Sequence, residues 1–267
     1  MGRVTRDEGY LLDNQQSQAG RRFEALSELF DPVTFRHLAA VGVSPGWVCW
    51  EVGAGGVGVP AWLAGQVGSS GRVVATDIDT AWMPAESAAF EVRRHDVGAD
   101  PPPEDGFDLV HARLLLTHVP QRMNALASMV RALHPGGWLV IEDADPALQP
   151  LICPDEYGPA QKLANRLRQG FRTLMAGRGA ALGFGRTLPR LLREAGLVAV
   201  QADAFFPITS PACTKLEIAT VQQIREKLVA AGLATDAEIE QHLANVAAGQ
   251  LDLATAPLIS AWGRKPQ

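Results

Sequence analysis

Apolar positions along this chain fall into two periods. Residues 17–40, "SQAGRRFEALSELFDPVTFRHLAA", carry Phe23, Leu26, Leu29, Phe30, Phe35 and Leu38 at helical spacing. Pro32 follows Asp31, a residue suited to an N-cap, so a second helix is predicted to open there. "WVCWEVGAG" is a short continuous apolar run ending in glycines and predicts a buried strand. "VPAWLAGQV" is helical. "GRVVATDID", "FEVRRHDV" and "FDLVHAR" predict strands two to four, and "MNALASMVRALHPGG" a helix stopped by Pro135 and two glycines. "WLVIEDAD" predicts a fifth strand. Residues 155–182 are helical in pattern. "TLPRLLREAGL" and "VAVQADAFFPI" give a helix and a strand, residues 216–248 two helices, the second opened by Thr235 or Asp236, and "ATAPLISAWGRK" a last strand.

Strands alternating with helices imply an α/β fold with a parallel sheet covered on both faces. Composition changes little: 47% hydrophobic and 20% charged residues are ordinary for a globular chain. The formal net charge of -5 argues against nucleic acid as the main partner, because neutralising phosphates takes a basic face. Cys49, Cys153 and Cys213 are widely spaced and odd in number, so neither a disulfide framework nor a zinc site is expected. No apolar run approaches about 18 residues and the N-terminus has no apolar signal region, which predicts a reduced, soluble, cytoplasmic protein without a membrane partner.

The chemistry concentrates in "EVGAGGVGVP", residues 51–60. Gly53, Gly55 and Gly58 match the dinucleotide fingerprint G-x-G-x-x-G. Glu51, Gly53 and Gly55 match the acid-x-G-x-G loop of enzymes that use S-adenosylmethionine (SAM). The ligands make opposite demands. A pyrophosphate at the helix N-terminus is repelled by a carboxylate two residues before Gly53, whereas a sulfonium and an ammonium favour one. Glu51 therefore points to SAM. At the end of strand two, Asp77 or Asp79 can accept from ribose hydroxyls, Asp79 being the better candidate for a helix cap. Asp96 after strand three suits the exocyclic amine of adenine, with Val97 as an apolar face.

"EVGAGGVG", "VVATDID", "RRHDV", "FDLVHARLLLTHV" and "LHPGGWLVIEDAD" occur in the order and spacing of class I SAM-dependent methyltransferases. The chain resembles that family from about Trp47 to Asp145, and within it the small-molecule branch of ubiquinone/menaquinone-type enzymes. One departure is that the family's third glycine falls at Val57, whereas here glycine stands at Gly58. The resemblance implies a Rossmann-like sheet of seven strands, mostly parallel with an antiparallel last strand, helices on both faces and a helical cap or lid. It implies an N-terminal helical segment (1–46) over the cofactor, a SAM-binding core (47–145), a lid insertion (146–185), and the rest of the core (186–267) with a helical insertion (207–254). It further implies that Glu51, Gly53, Ala54 and Gly55 face the methionine moiety, that Asp77 holds the ribose, that Ile78 and Val97 flank adenine, and that Asp96 meets its amine.

Other positions stay open. His118 follows the C-terminal end of strand four, where open α/β sheets bind ligands, and is the candidate general base. Arg113 can orient the acceptor or pair with Glu142 or Asp143. His111, inside strand four, reads as a satisfied buried histidine. Tyr10 and Arg22 can meet the methionyl carboxylate if the N-terminal segment folds over the cofactor, and are otherwise surface groups. The basic cluster of residues 162–172 backs an apolar stripe of Leu163, Leu167, Phe171 and Leu174, as a lid requires. Asn/Asp-Pro-Pro-aromatic and Pro-Cys motifs after strand four are absent, which points away from nucleobases. Leu148, Leu151, Ile152, Tyr157, Phe171, Met175, Phe184, Phe205 and Phe206 predict a largely apolar site for a small acceptor such as an aromatic or polyketide-like compound, in a monomer or homodimer. A nicotinamide oxidoreductase and a non-catalytic SAM-binding protein are the rival readings.

Overall fold

A computed structural model describes residues 11–12, 17–84 and 89–267. Helix α1 (Ser17–Ala40) runs unbroken through Pro32, so the expected second helix start at Asp31 does not occur. Proline removes the bond its N–H would give to the carbonyl four residues back. The apolar face nevertheless continues on both sides of it, with Ala25, Leu29, Phe30 and Leu38 all buried, and Asp31 turns its carboxylate to Arg113 instead of to a helix end.

Then follow β1 (Val48–Val52), α2 (Gly58–Val67), β2 (Arg72–Asp77), β3 (Glu91–Arg94), β4 (Phe107–Arg113), α3 (Arg122–Ala132), β5 (Leu133–Ala144), α4 (Pro159–Gly177), α5 (Leu188–Glu194), β6 (Val198–Phe205), α6 (Pro211–Ala230), α7 (Asp236–Ala247) and β7 (Leu258–Arg264). The seven strands form one sheet in the order β3-β2-β1-β4-β5-β7-β6. β1 pairs in parallel with β2 and β4, and β7 lies antiparallel between β5 and β6. The chain winds outward from β1 in one direction, then from β4 in the other. The reversal between them is where open α/β sheets leave a ligand crevice at the strand C-termini.

The fifth strand begins earlier than the sequence suggests. Leu133 already pairs with Phe107, and the register shifts before Leu109 meets Trp138. Pro135 and Gly136, the latter at φ 87°, are absorbed in that irregularity. Against the sheet, Leu38, Leu63 and Val67 pack with Cys49, Val73, Leu109 and Val140 in a continuous apolar cluster. Each fully buried aliphatic side chain of this kind contributes roughly 1.5–3 kcal/mol.

The chain divides into two compact units. The sheet unit comprises residues 30–144, 184–205 and 258–267. The helical unit takes the chain up to Leu29, residues 145–183 and residues 206–257. Within the helical unit, α4, α6 and α7 enclose Leu167, Met175, Val221, Ile224, Leu228 and Ile239. Arg168, read from the sequence as part of a solvated basic face, turns inward: its Nη2 donates to Glu217 Oε2 at 2.9 Å, and His242 Nε2 lies 2.8 Å from Glu217 Oε1. Helix α7 opens on Thr235, whose hydroxyl accepts the Glu238 N–H while Glu238 accepts the Thr235 N–H.

Candidate active site

The loop after β1 is shaped by its glycines. Gly53 and Gly55 sit at φ 67° and 61°, which side chains rarely tolerate. A Cβ on Gly53 would also come within 2.8 Å of Leu115 Cδ1. The N–H groups of Gly53 and Ala54 both donate to the Thr76 carbonyl, at 2.8 and 3.0 Å. Gly55 N–H donates to Asp77 Oδ2 at 3.0 Å, and Asp79 N–H to Asp77 Oδ1 at 2.9 Å. Asp77 thus ties the glycine loop to the end of β2. Burial pushes its carboxyl above the usual range, and these backbone donors pull it back. Gly58 is the first residue of α2, whose N-terminus has no side-chain cap. Ile78, beside buried Asp77, is 53% exposed. Asp96 is exposed and accepts the Gly98 N–H at 2.9 Å, while Val97 is buried. Asp79 accepts the Ala81 N–H at 3.0 Å. The residues fit SAM: a glycine cradle that a Cβ would fill, an acid at each of the first two strand ends, and an exposed aliphatic side chain able to cover a purine face.

Glu51 stands at the heart of a buried polar chain. Its Oε2 lies 2.6 Å from His111 Nδ1, on neighbouring β4. The other ring nitrogen of His111 faces Glu142 Oε2 of β5 at 3.5 Å. Glu142 accepts from Ser260 of β7 at 2.8 Å, lies 2.8 Å from His37 Nδ1, and takes the Thr34 hydroxyl. His37 Nε2 reaches Asp203 Oδ2 of β6 at 3.0 Å. Burial pushes the Glu51 carboxyl up. Burial works to lower His111, but Glu51 and Glu142 outweigh it and hold it up at about 9. Burial would also raise Glu142, yet His111 and His37 keep it well below the carboxylate range. His111 is therefore buried and partnered, as its place in strand four suggests, and its partners are the acids Glu51 and Glu142.

Arg113 does not pair with either acid considered for it. Its guanidinium donates to Asp31 Oδ1 at 2.7 Å and to Thr34 Oγ1 at 2.9 Å, both on α1. Helix α1 thus meets the end of β4 through charge, which the sequence pattern did not reveal. After Arg113 the chain turns through Leu114 at φ 54°. Asp143 Oδ2 accepts the Thr117 N–H at 2.9 Å and fixes the turn that carries His118, itself half-buried. Burial raises the Asp143 carboxyl to about 6 against its backbone donors. Just beyond lies a cleft of about 360 Å³, whose walls include Gln121, Arg122, Met123, Phe184, Thr187 and Leu191. Arg22 is buried in the helical unit, its Nε donating to Gln223 Oε1 at 3.1 Å. Tyr10 lies outside the described residues. Among the residues expected to line an apolar pocket, Ile152 and Met175 are buried, while Leu148, Tyr157 and Phe206 are exposed.

His37 and Thr34 escaped the sequence reading, and Glu142 and Asp31 entered it only in other roles, as a partner for Arg113 and as a helix cap. One signal was present: two adjacent acids at the end of the apolar run in "LVIEDA" lie on opposite faces of a buried strand and must have buried partners.

Among the described residues, no helix is long and apolar enough to cross a membrane. A family model described as a methyltransferase domain matches residues 50–141. The methyltransferase GfsG of Streptomyces halstedii is 30% identical over 182 residues, covering 65% of this chain and 61% of that protein. The ubiquinone/menaquinone biosynthesis C-methyltransferase UbiE of Vibrio parahaemolyticus is 32% identical over 120 residues, 41% of this chain and 46% of its own. The chain spans less than two thirds of the length of these curated relatives. In three dimensions it is similar to the phosphoethanolamine N-methyltransferase 2 of Haemonchus contortus, with a TM-score of 0.58 at 14% identity, covering 97% of this chain and 60% of that one. Strand order, glycine loop and matched segment agree: residues 50–141 are similar to a methyltransferase domain, and the fold around them is similar to that of a solved methyltransferase.

Proposed function

We propose that this protein transfers the methyl group of SAM to a small, largely apolar acceptor. The observation that supports it most is Glu51, a carboxylate held at the end of the central strand where the glycine loop begins. That charge suits a cationic ligand and opposes a pyrophosphate. SAM supplies an activated methyl group on a sulfonium. The chain's own part is to hold: Glu51 and the glycine loop for the methionine moiety, Asp77 for the ribose, Ile78, Asp96 and Val97 for adenine. Arg22 and Tyr10 belong to the same proposal as partners of the methionyl carboxylate. For Arg22 this competes with its bond to Gln223.

Positioning the acceptor in line with the breaking bond is the larger contribution, and a base adds typically ~10²–10⁴-fold where the acceptor must lose a proton. His118 is the base in this proposal, and its position just after Thr117, whose N–H is held by Asp143 beyond β4, supports that reading. Arg113, held by Asp31 and Thr34, adds positive charge at the same strand end. The cleft of about 360 Å³ beyond that turn is of the size that takes a compact ring, and Met123, Phe184 and Leu191 give it apolar walls. Calorimetry with SAM, S-adenosylhomocysteine and NAD tests the cofactor. Micromolar binding of the first two, about -8 kcal/mol, with NAD much weaker, is expected. NAD binding as tight as SAM would defeat the proposal. Asp77→Ala should weaken SAM more than Asp79→Ala, and the reverse order would reassign the ribose acid.

A further inference from the structure

The ring of His111 is wholly buried between two carboxylates. Its Nδ1 shares a short 2.6 Å bond with Glu51, the acid at the cofactor loop. Its Nε2 has no hydrogen-bond partner. At 3.5 Å from Glu142 Oε2 a proton there is held by charge, not by a bond. The other charged groups packed around the pair are Arg113 on the same strand, paired with Asp31 of α1, and His37 of α1, between Glu142 and Asp203. Asp203 is 38% exposed and also takes Arg36, so the chain of acids and imidazoles ends at solvent.

Resting on the methyltransferase reading, we infer that His111 is a positioning residue for the cofactor: it pins the Glu51 carboxylate at the glycine loop, and the Glu51–His111 pair gives up one proton when a cation settles there. Without a ligand the pair holds one proton in the short Oε2···Nδ1 bond and a second on Nε2. A positive charge beside Glu51 draws on the same negative charge that retains the second proton, and repels it. The Nε2–H bond breaks, its electron pair stays on nitrogen, and the proton leaves to solvent, with Glu142 and then His37 and Asp203 as the nearest groups along the way. The bond from Nδ1 to Glu51 survives, so the carboxylate keeps its place. Both members of the pair are held above their ordinary values, so the proton is present to be lost up to about pH 9. Two such interacting groups titrate as a unit.

SAM, with its sulfonium, and S-adenosylhomocysteine, with a neutral sulfur, separate this from a simple structural role. Isothermal titration near pH 8, in two buffers of different ionisation enthalpy, reads the protons exchanged on binding. Net release with SAM and clearly less with S-adenosylhomocysteine is expected. SAM affinity should also rise several-fold from about pH 7 to about pH 9, approaching at most the tenfold per pH unit of one linked proton. His111→Gln, which keeps a donor for Glu51, should bind SAM without proton release and without that pH dependence. Should it fail to fold, Glu142→Gln gives a second reading, since it removes the charge holding the Nε2 proton and should reduce the release. SAM binding by the wild-type protein with no proton exchange and a flat pH profile would overturn the inference and leave the cofactor assignment intact. Failure of both ligands to bind at any pH would overturn the two together.

Discussion

His118 and Asp143 show how closely a single residue's role depends on its neighbour. The Asp143 carboxylate accepts the Thr117 N–H and so places the adjoining imidazole. Replacing His118 with Gln should lower kcat by about 10²-fold for an acceptor that must lose a proton, with SAM affinity retained and the acidic limb of the pH profile gone. A loss under about threefold would leave positioning alone. Asp143 carries its own signature. Its folded value, about 6, lies above the ~3.9 of an unfolded aspartate. Between these values the unfolded chain has lost a proton that the folded chain keeps, so the contribution of Asp143 to stability is fully present below about 4 and is lost as pH rises through 6. Asp143→Asn keeps an acceptor oxygen for Thr117 and should flatten this slope in denaturant titrations taken from about pH 4 to 7. At this scale the glycine loop and the strand-end acids were legible, because their spacing is local. The partners of Glu51 and Arg113 were not, since His111 and Asp31 lie 60 and 82 positions away along the chain.

Elements were legible wherever their ends carried their own chemistry. Thr235 and Glu238 announce α7, and the capping box forms as that pattern demands. Thr235→Ala should cost about 1 kcal/mol, within the range measured for lost N-caps, and thermal or denaturant unfolding would register it. An unchanged midpoint would mean that the packing of Ile239 and His242 alone defines where the helix starts. Two boundaries were misread for one reason. Asp31–Pro32 was taken as the start of a second helix, and Pro135 with its glycines as a break before the fifth strand, yet the first lies inside α1 and the second inside β5. In each case tertiary pairing on both sides outweighs the lost bond: the buried face of α1, and the pairing of Leu133 with Phe107.

Over the whole molecule, a parallel sheet follows from strands alternating with helices, and its seven strands and the antiparallel β7 from the family pattern, while the strand order emerges only from the structure. The division into two units cuts across the sequence, since the helical unit draws on three separate stretches. All six tryptophans, at positions 47, 50, 62, 82, 138 and 262, belong to the sheet unit. Tryptophan fluorescence therefore reports the sheet unit, while far-ultraviolet circular dichroism reports helices of both. The two signals should unfold together, because each stretch of the helical unit begins or ends in the sheet unit, and opening the sheet releases those loop ends. S-adenosylhomocysteine at about 100 times its Kd should stabilise both transitions by about 2.7 kcal/mol. A shift in only one signal would show that the units melt separately.

Ala144, where the chain leaves β5, and Phe205, where it leaves β6, both pair with Leu258, where it returns into β7. The two long excursions thus start at a single rung of the sheet, and the second also finishes there. That rung works as a splice point. Residues 145–183 and 206–257 can be exchanged for stretches of other length and composition while β1, its glycine loop and the Glu51 chain are left untouched. Recombination at these two seams changes what is appended to the sheet without changing the strands of the sheet itself.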